Sequence, residues 1–230
     1  MARPYLYTII SDVHGFHERL EIRPCDFLLI CGDVTNRGRF SYGSFYNWVL
    51  RVPADNVIFV FGNHERAVKE KFFTLFKNIP KVHILQNAFE IIKGVQFFGL
   101  GFPVQERVVE WVNTVAIKDM PTVLLTHEPP FGILDMKMAN PKKGEVGYKH
   151  AGSEVIKELL NTLQPQLACF GHLHYSFGAV RVDDTLCVNA AVVNEFGKVA
   201  NKPVEAISFS KFFVCAHWND FVKEKYELCY

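Results

Sequence analysis

The sequence predicts an α/β protein: two packed mixed β-sheets flanked by helices. Three observations lead there. Apolar runs of strand length recur along the 230 residues, segments with helical spacing lie between several of them, and the character of the strands changes along the chain. The early runs are continuously apolar, which suits strands covered on both faces and joined in parallel through right-handed crossovers. The later runs alternate, which suits antiparallel hairpins. Two sheets packed face to face accommodate both kinds.

In chain order, "YLYTII" (5–10), "DFLLICG" (26–32) and "NVIFVFG" (56–62) read as the first strands. "SFYNWVLRV" (44–52) and "ERAVKEKFFTLFKN" (65–78) place apolar residues three and four apart and read as helices. "VQFFGLG" (95–101) and "TVLLTH" (122–127) are strands around the helical "QERVVEWVNTVAIKD" (105–119). "SEVIKELLNTL" (153–163) is a helix leading into the strand "LACFGH" (167–172). "GAVRVDDTLCVNA" (178–190) is an antiparallel hairpin turning at Asp183-Asp184, and "VEAISFS" (204–210) is a further strand. Residues 129–151 have no convincing period and are too long for a neutral connector, so they are a candidate substrate loop with an exposed insertion as the alternative. The tail 211–230 is rich in aromatics and reads either as a final strand plus helix or as a partner surface.

No Pro/Gly/Ser-rich linker or low-complexity run divides the chain, which reads as one domain over 1–230. A formal net charge of +1 argues against a dominant nucleic-acid or anionic-membrane role. Apolar runs fall well short of the roughly 18–20 residues that span a bilayer. The opening "MARPYLYTIISD" lacks a cleavable leader pattern because Asp12 interrupts its apolar run, so a cytoplasmic protein is expected. The six cysteines are scattered with no C-x-x-C pair and are expected to be buried reduced thiols.

The unusual polar residues sit at strand ends. Asp12 and His14 follow the first strand, Gly32 and Asp33 the second, and Gly62, Asn63 and His64 the third. His127 closes "TVLLTH", and Gly171, His172 and His174 follow "LACF". The carboxyl ends of strands in open α/β sheets form the crevice where ligands bind, so five dispersed clusters converge on one place. Asp, His and Asn are oxygen and nitrogen donors that borderline divalent metals accept. Taken singly, Asp12 or Asp33 could cap a helix, His172 and His174 could be bonded core histidines, and Asn63 could be a turn residue.

In this order, D-x-H, G-D, G-N-H-E, T-H and G-H-x-H resemble the signature of the calcineurin-like metallophosphoesterases, over roughly residues 5–210. "THEPPFGILD" and "FGHLHYSFGAV" further resemble the family's small intracellular phosphodiesterases, the metallophosphoesterase-domain proteins. The resemblance implies a four-layer sandwich and two divalent cations, Mn²⁺ for activity with Fe or Zn²⁺ as alternatives. It implies one cation on Asp12, His14, Asp33 and His174 and another on Asp33, Asn63, His127 and His172, with Asp33 bridging. The implied reaction is hydrolysis of a small phosphate ester by in-line attack of a metal-bridging hydroxide, with His64 as general acid. A phosphodiesterase acting on substrates such as cyclic nucleotides is expected; the alternatives are a phosphoprotein phosphatase and a metal-loaded scaffold.

Asn63, His64 and Arg37 are the candidate substrate contacts, Arg37 through its fork of donors. "GDVTNRG" departs from the G-D-x-x-D-R-G of the phosphoprotein phosphatases at Asn36, where an acid would support the imidazole, and Glu65 is the nearby substitute. His17, His83, His150 and His217 match nothing in the metal pattern; His17 could rim the pocket, and the resemblance places Asn189 at its border.

Overall fold

The computed structural model describes residues 3–36, 42–139, 146–209 and 212–215. Two six-stranded mixed sheets carry the fold. The first contains β1 (Leu6–Ile10), β2 (Cys25–Ile30), β3 (Ala54–Phe59), β4 (Val82–Ile84), β13 (Val204–Phe209) and β14 (Phe212–Cys215). Its order is β14-β13-β1-β2-β3-β4. The second contains β5 (Ala88–Ile92), β6 (Val95–Leu100), β7 (Thr122–Thr126), β10 (Leu167–Phe170), β11 (Gly178–Val182) and β12 (Thr185–Asn189). Its order is β11-β12-β10-β7-β6-β5.

As the apolar early runs predict, β1 to β4 are parallel neighbours, and so are β6, β7, β10 and β12. The Asp183-Asp184 turn closes the β11–β12 hairpin, with Val182 opposite Thr185. Inner faces of both sheets build one core, including Tyr7, Phe27 and Leu29 from the first sheet and Phe97, Val123 and Leu125 from the second. On the outer face of the first sheet, Phe45 and Trp48 of α1 (Tyr42–Arg51) and Phe72 and Phe76 of α2 (Lys69–Phe76) cover Leu28 and Ile30. On the other side, Val108 and Val112 of α3 (Arg107–Val115) and Leu159 and Leu160 of α4 (Glu154–Leu163) cover Phe98 and Leu124. The layers therefore run helix, sheet, sheet, helix, as expected.

Three segments add local detail. The β1–β2 crossover carries a 3-10 turn, His17–Arg19. The 129–151 segment contains an antiparallel pair, β8 (Met136–Met138) with β9 (Tyr148–His150), too short to show a period in the sequence. The tail opens with a strand, as one of its two readings expects: β14 pairs with β13, and residues 216–230, with His217 and Cys229, lie outside the described residues. Cys25, Cys31, Cys169, Cys187 and Cys215 are buried free thiols, as anticipated. No helix among the described residues is long and apolar enough to cross a membrane.

The sheets meet through aromatic packing: Phe27 lies 5.0 Å from Phe97 between ring centroids, and both are fully buried. Replacing Phe97 by alanine should lower unfolding free energy by about 3–5 kcal/mol. The half-exposed Leu50, changed in the same way, should cost less than about 1 kcal/mol, both read from denaturant midpoints at unchanged slope.

Candidate metal centre

The five strand ends turn toward one seam between the sheets. Short loops after β1 and β2 are held together by backbone bonds: the Asp12 N–H donates to Gly32 O at 3.0 Å and the His14 N–H to Asp33 O at 2.9 Å. On the opposite sheet the Gly171 N–H donates to His127 O at 3.0 Å. The turns are tight enough that Asp12 (φ 54°), His14 (φ 45°), Asp33 (φ 52°) and His172 (φ 64°) all occupy the left-handed region. Side chains with a Cβ adopt it at a cost, and such strain clusters at functional sites. Glycine is required where the loops touch: a Cβ on Gly171 would lie 2.1 Å from Asp12 Oδ2, and one on Gly62 2.1 Å from Asp33 Oδ1.

The candidate donors and the candidate acid, His64, converge as the strand-end reading predicts. Asp12, fully buried, accepts the His172 N–H at 2.8 Å on Oδ2 and faces His174 Nε2 at 3.1 Å with Oδ1. Asp33 Oδ1 accepts the His64 N–H at 2.9 Å. Its Oδ2 lies 3.4 Å from His127 Nε2, 3.8 Å from His64 Nε2 and 4.0 Å from His14 Nε2. Ligand atoms of Asp12, His14 and His174 lie within 4.8 Å of one another, and so do those of Asp33, His127 and His172. A third such group, His14, Asp33 and His64, joins the two and draws His64 closer than the sequence assigns it.

Backbone carbonyls orient two of the rings. His127 Nδ1 donates to Cys31 O at 2.8 Å, and His174 Nδ1 donates to Asn194 O at 3.1 Å. Each ring therefore turns Nε2 into the site, as histidine ligands do when their other nitrogen is engaged. Around His127 Nε2 sit Asn63 Oδ1 at 3.0 Å, His172 Nδ1 at 3.2 Å and Asp33 Oδ2. With Nδ1 already donating, a neutral His127 turns its Nε2 lone pair toward Asn63 Oδ1 and Asp33 Oδ2, and positive charge among these groups relieves the clash of lone pairs.

A proton can meet that need: burial pushes His127 down, but the Asp33 charge and hydrogen bond outweigh it and raise it to about 10. Burial raises Asp12, yet the His174 bond and the surrounding imidazoles draw it well below the carboxylate range. Burial and the charge on His127 push His172 down to about 4, leaving it neutral and available as a donor. A divalent cation answers the same electrostatic demand as the proton on His127. The donor set of carboxylate, imidazole and amide fits it.

The calcineurin-like phosphoesterase profile matches residues 5–176, from the start of β1 to just past His174. The chain belongs to that family. It is 28% identical over 238 residues to human metallophosphoesterase domain-containing protein 1, covering 86% of this chain and 69% of the relative. It is likewise 28% identical over 225 residues to UPF0046 protein K07C11.7 of Caenorhabditis elegans, covering 87% and 74%. In fold it is similar to TT1561 of Thermus thermophilus, with a TM-score of 0.61, 13% identity, and coverage of 93% and 99%.

A cleft of about 380 Å³ opens at this candidate centre, lined by His14, Asp33, Asn63, His64, His172 and His174. Asn36 and Phe16 line one part, and Val193, Asn194, Glu195 and Gly197 another. Arg37 lies outside the described residues. His17 does not rim the cleft: it is buried between Phe45 and Trp48, with Nε2 2.8 Å from Ser44 Oγ. His83 and His150 pair with Glu90 and Asp135. Asn189 sits beneath the site, donating to Leu134 O and Leu173 O.

Glu65 does not reach out to His64. Fully buried, it accepts from the Asp33, Thr35 and Gly62 N–H groups at 2.8, 2.9 and 3.0 Å and from Thr35 Oγ1 at 2.9 Å. Burial and the Asp33 charge push it up to about 7, against the pull of those bonds. It thus clamps the second strand-end loop to the third. The 193–197 turn is the other feature the sequence reading missed; its only local signal is the Asn-x-x-Gly turn chemistry of "NEFG".

Three substitutions follow. Gly171→Ala should empty the site, with bound metal per chain falling by at least about tenfold, as typical for losing a ligand's support. Gly43→Ala, at a helical glycine with nothing within 4 Å, should retain metal and gain up to about 1 kcal/mol. Glu65→Ala removes the acceptor of three buried backbone N–H groups and of the Thr35 hydroxyl and should cost at least about 3 kcal/mol, measured by chemical unfolding.

Proposed function

We propose that this protein is a dinuclear-metal phosphodiesterase acting on small substrates, cyclic nucleotides among them. The observation that carries the reading is that two donor groups, one on Asp12, His14 and His174 and one on His127 and His172 with Asn63, meet at the single carboxylate of Asp33. Divalent cations held there supply Lewis acidity toward a phosphoryl oxygen and acidify water. Mn²⁺ is the cation we expect to support activity, with Fe or Zn²⁺ as alternatives.

The chain's own residues then have separate tasks. Asp33 is oriented for its shared role because its Oδ1 is fixed by the His64 N–H while Oδ2 faces both groups. Carbonyls of Cys31 and Asn194 keep His127 and His174 in the tautomer that turns Nε2 inward. His64, partly exposed at the cleft floor and packed edge-on to His14 at 4.7 Å, is positioned to hand a proton to the departing oxygen. Asn63 and His64 face the bound ester, and Arg37, which follows Asn36 in sequence, is a further candidate contact. A cleft of about 380 Å³ suits a mononucleotide-sized ligand better than a folded phosphoprotein.

The test is hydrolysis of a chromogenic diester with added Mn²⁺. Chelator or Asp33→Asn should abolish it; equal rates before and after chelation would refute the metal-dependent reading. His64→Ala should lower kcat by about 10²-fold or more for a diester with an alkoxide leaving group, and much less for p-nitrophenolate, which departs without a proton. Turnover of phosphopeptides with none of any diester would reverse the ranking of substrates.

A further inference from the structure

We propose that Glu195 is a specificity-determining residue of the cleft. Its carboxylate, carried on the 193–197 turn, disfavours dianionic phosphate monoesters relative to monoanionic diesters. This inference rests on the phosphoesterase reading above and adds the group that sets the preference.

The turn is rigidly built and attached to the site. The Asn194 N–H donates to Lys198 O and the Gly197 N–H to Asn194 O, each at 2.9 Å. Asn194 Oδ1 accepts the N–H groups of Phe196 and Lys198 at 3.1 and 3.0 Å. Val193 and Val199 form an antiparallel bridge that closes the loop. The carbonyl immediately before Glu195, that of Asn194, is the one that accepts from His174 Nδ1. The Glu195 backbone, one peptide unit from that anchor, therefore has a fixed relation to the ion-binding groups, and its exposed side chain extends from that point at the cleft lining.

Among the described residues, charge at the cleft wall is one-sided. Among the described lining residues the ionic side chains other than histidine are Asp33 and Glu195, with no lysine or arginine. Asp33 is committed to the donor groups, which leaves Glu195 as the remaining carboxylate among the described lining residues. Lys198, on the same turn, is not part of the lining. No ion pair engages Glu195 among the described residues, so its charge is not cancelled locally. A monoester is close to doubly charged above its second pKa of about 6, whereas a diester carries one charge. Both are drawn to the donor centre, but the monoester meets twice the repulsion at the wall. Over roughly 10 Å in largely aqueous surroundings one extra charge pair corresponds to a few-fold change in an equilibrium.

The test uses one chromophore and three net charges at pH 8: p-nitrophenyl phosphate, bis(p-nitrophenyl) phosphate and the zwitterion p-nitrophenyl phosphorylcholine, with Mn²⁺-loaded protein. The ratio of kcat/KM for monoester over diester should rise about threefold in Glu195→Gln and about tenfold in Glu195→Lys. The ratio for zwitterion over diester should fall in the same order. Raising salt from about 0.02 to about 0.5 M should move the wild-type ratios toward those of Glu195→Gln. A common factor for all three substrates, or ratios that do not move, would overturn the proposal. Calorimetric binding of inorganic phosphate against dimethyl phosphate gives a second readout: Glu195→Gln should strengthen phosphate relative to dimethyl phosphate, and an unchanged ratio would refute the filter. A wild-type protein that turned over none of the esters would defeat the phosphoesterase reading, while the binding ratio would still decide the role of Glu195.

Discussion

The site depends on balancing two carboxylates that have almost no water. Asp12 is fully buried and Asp33 is 2% exposed, in a setting where an unpaired charge is strongly unfavourable. The compensation is distributed. Asp12 takes a backbone N–H and an imidazole from the opposite sheet, while Asp33 takes the His64 N–H and faces three rings. Because carboxylates and imidazoles are both good cation donors, the arrangement that neutralises the burial cost in the folded chain is the one that selects a divalent ion. Stability and chemistry thus draw on the same contacts.

The backbone carries a matching burden. Four site residues lie in the left-handed region, at a cost on the order of 1–3 kcal/mol each that local side-chain hydrogen bonding offsets only in part for aspartate. The rest of the offset comes from elsewhere: the Glu65 carboxylate, which accepts four bonds from the second and third loops, and the close approach that Gly62 and Gly171 permit. A loop that relaxed into ordinary backbone geometry would swing its donor away from the seam. Burying Glu65 beside Asp33 adds a third acid to a crowded region, a cost met by the preorganisation of two loops at once.

How much of this could be read from the residues alone follows from how local each signal is. The strand-end motifs were legible because apolar run, glycine and donor are adjacent in sequence, and the rule that ligands gather at carboxyl ends converts adjacency into a shared place. The β11–β12 hairpin was legible because Asp183-Asp184 separates two alternating runs. β4, β8 and β9 span three residues each, too few to establish a period. Glu65 was noticed, yet its role was misjudged, since proximity in sequence to His64 says nothing about the direction of its side chain. His17 misled for the same reason: three residues after His14, it turns into the α1 interface instead of the cleft. The 193–197 turn belongs to the site only through a hydrogen bond between a backbone carbonyl and His174, and no residue type announces such a bond.

The two sheets also explain why the site is one unit. Asp12, His14, Asp33 and Asn63 lie on loops of the first sheet, and His127, His172 and His174 on loops of the second. Each donor group therefore takes side chains from both. The His127 to Cys31 and His172 to Asp12 bonds cross the same seam, and Ser11 bridges Ala191 beside it. Distances between donors are consequently set by how Tyr7, Phe27 and Phe97 hold the sheets apart, rather than by any single loop. Protein cores are close-packed and transmit small volume changes, so the core between the sheets helps set the spacing of the donor side chains. An ion held by both sheets adds its binding energy to their packing, which ties occupancy of the site and cohesion of the fold into one equilibrium.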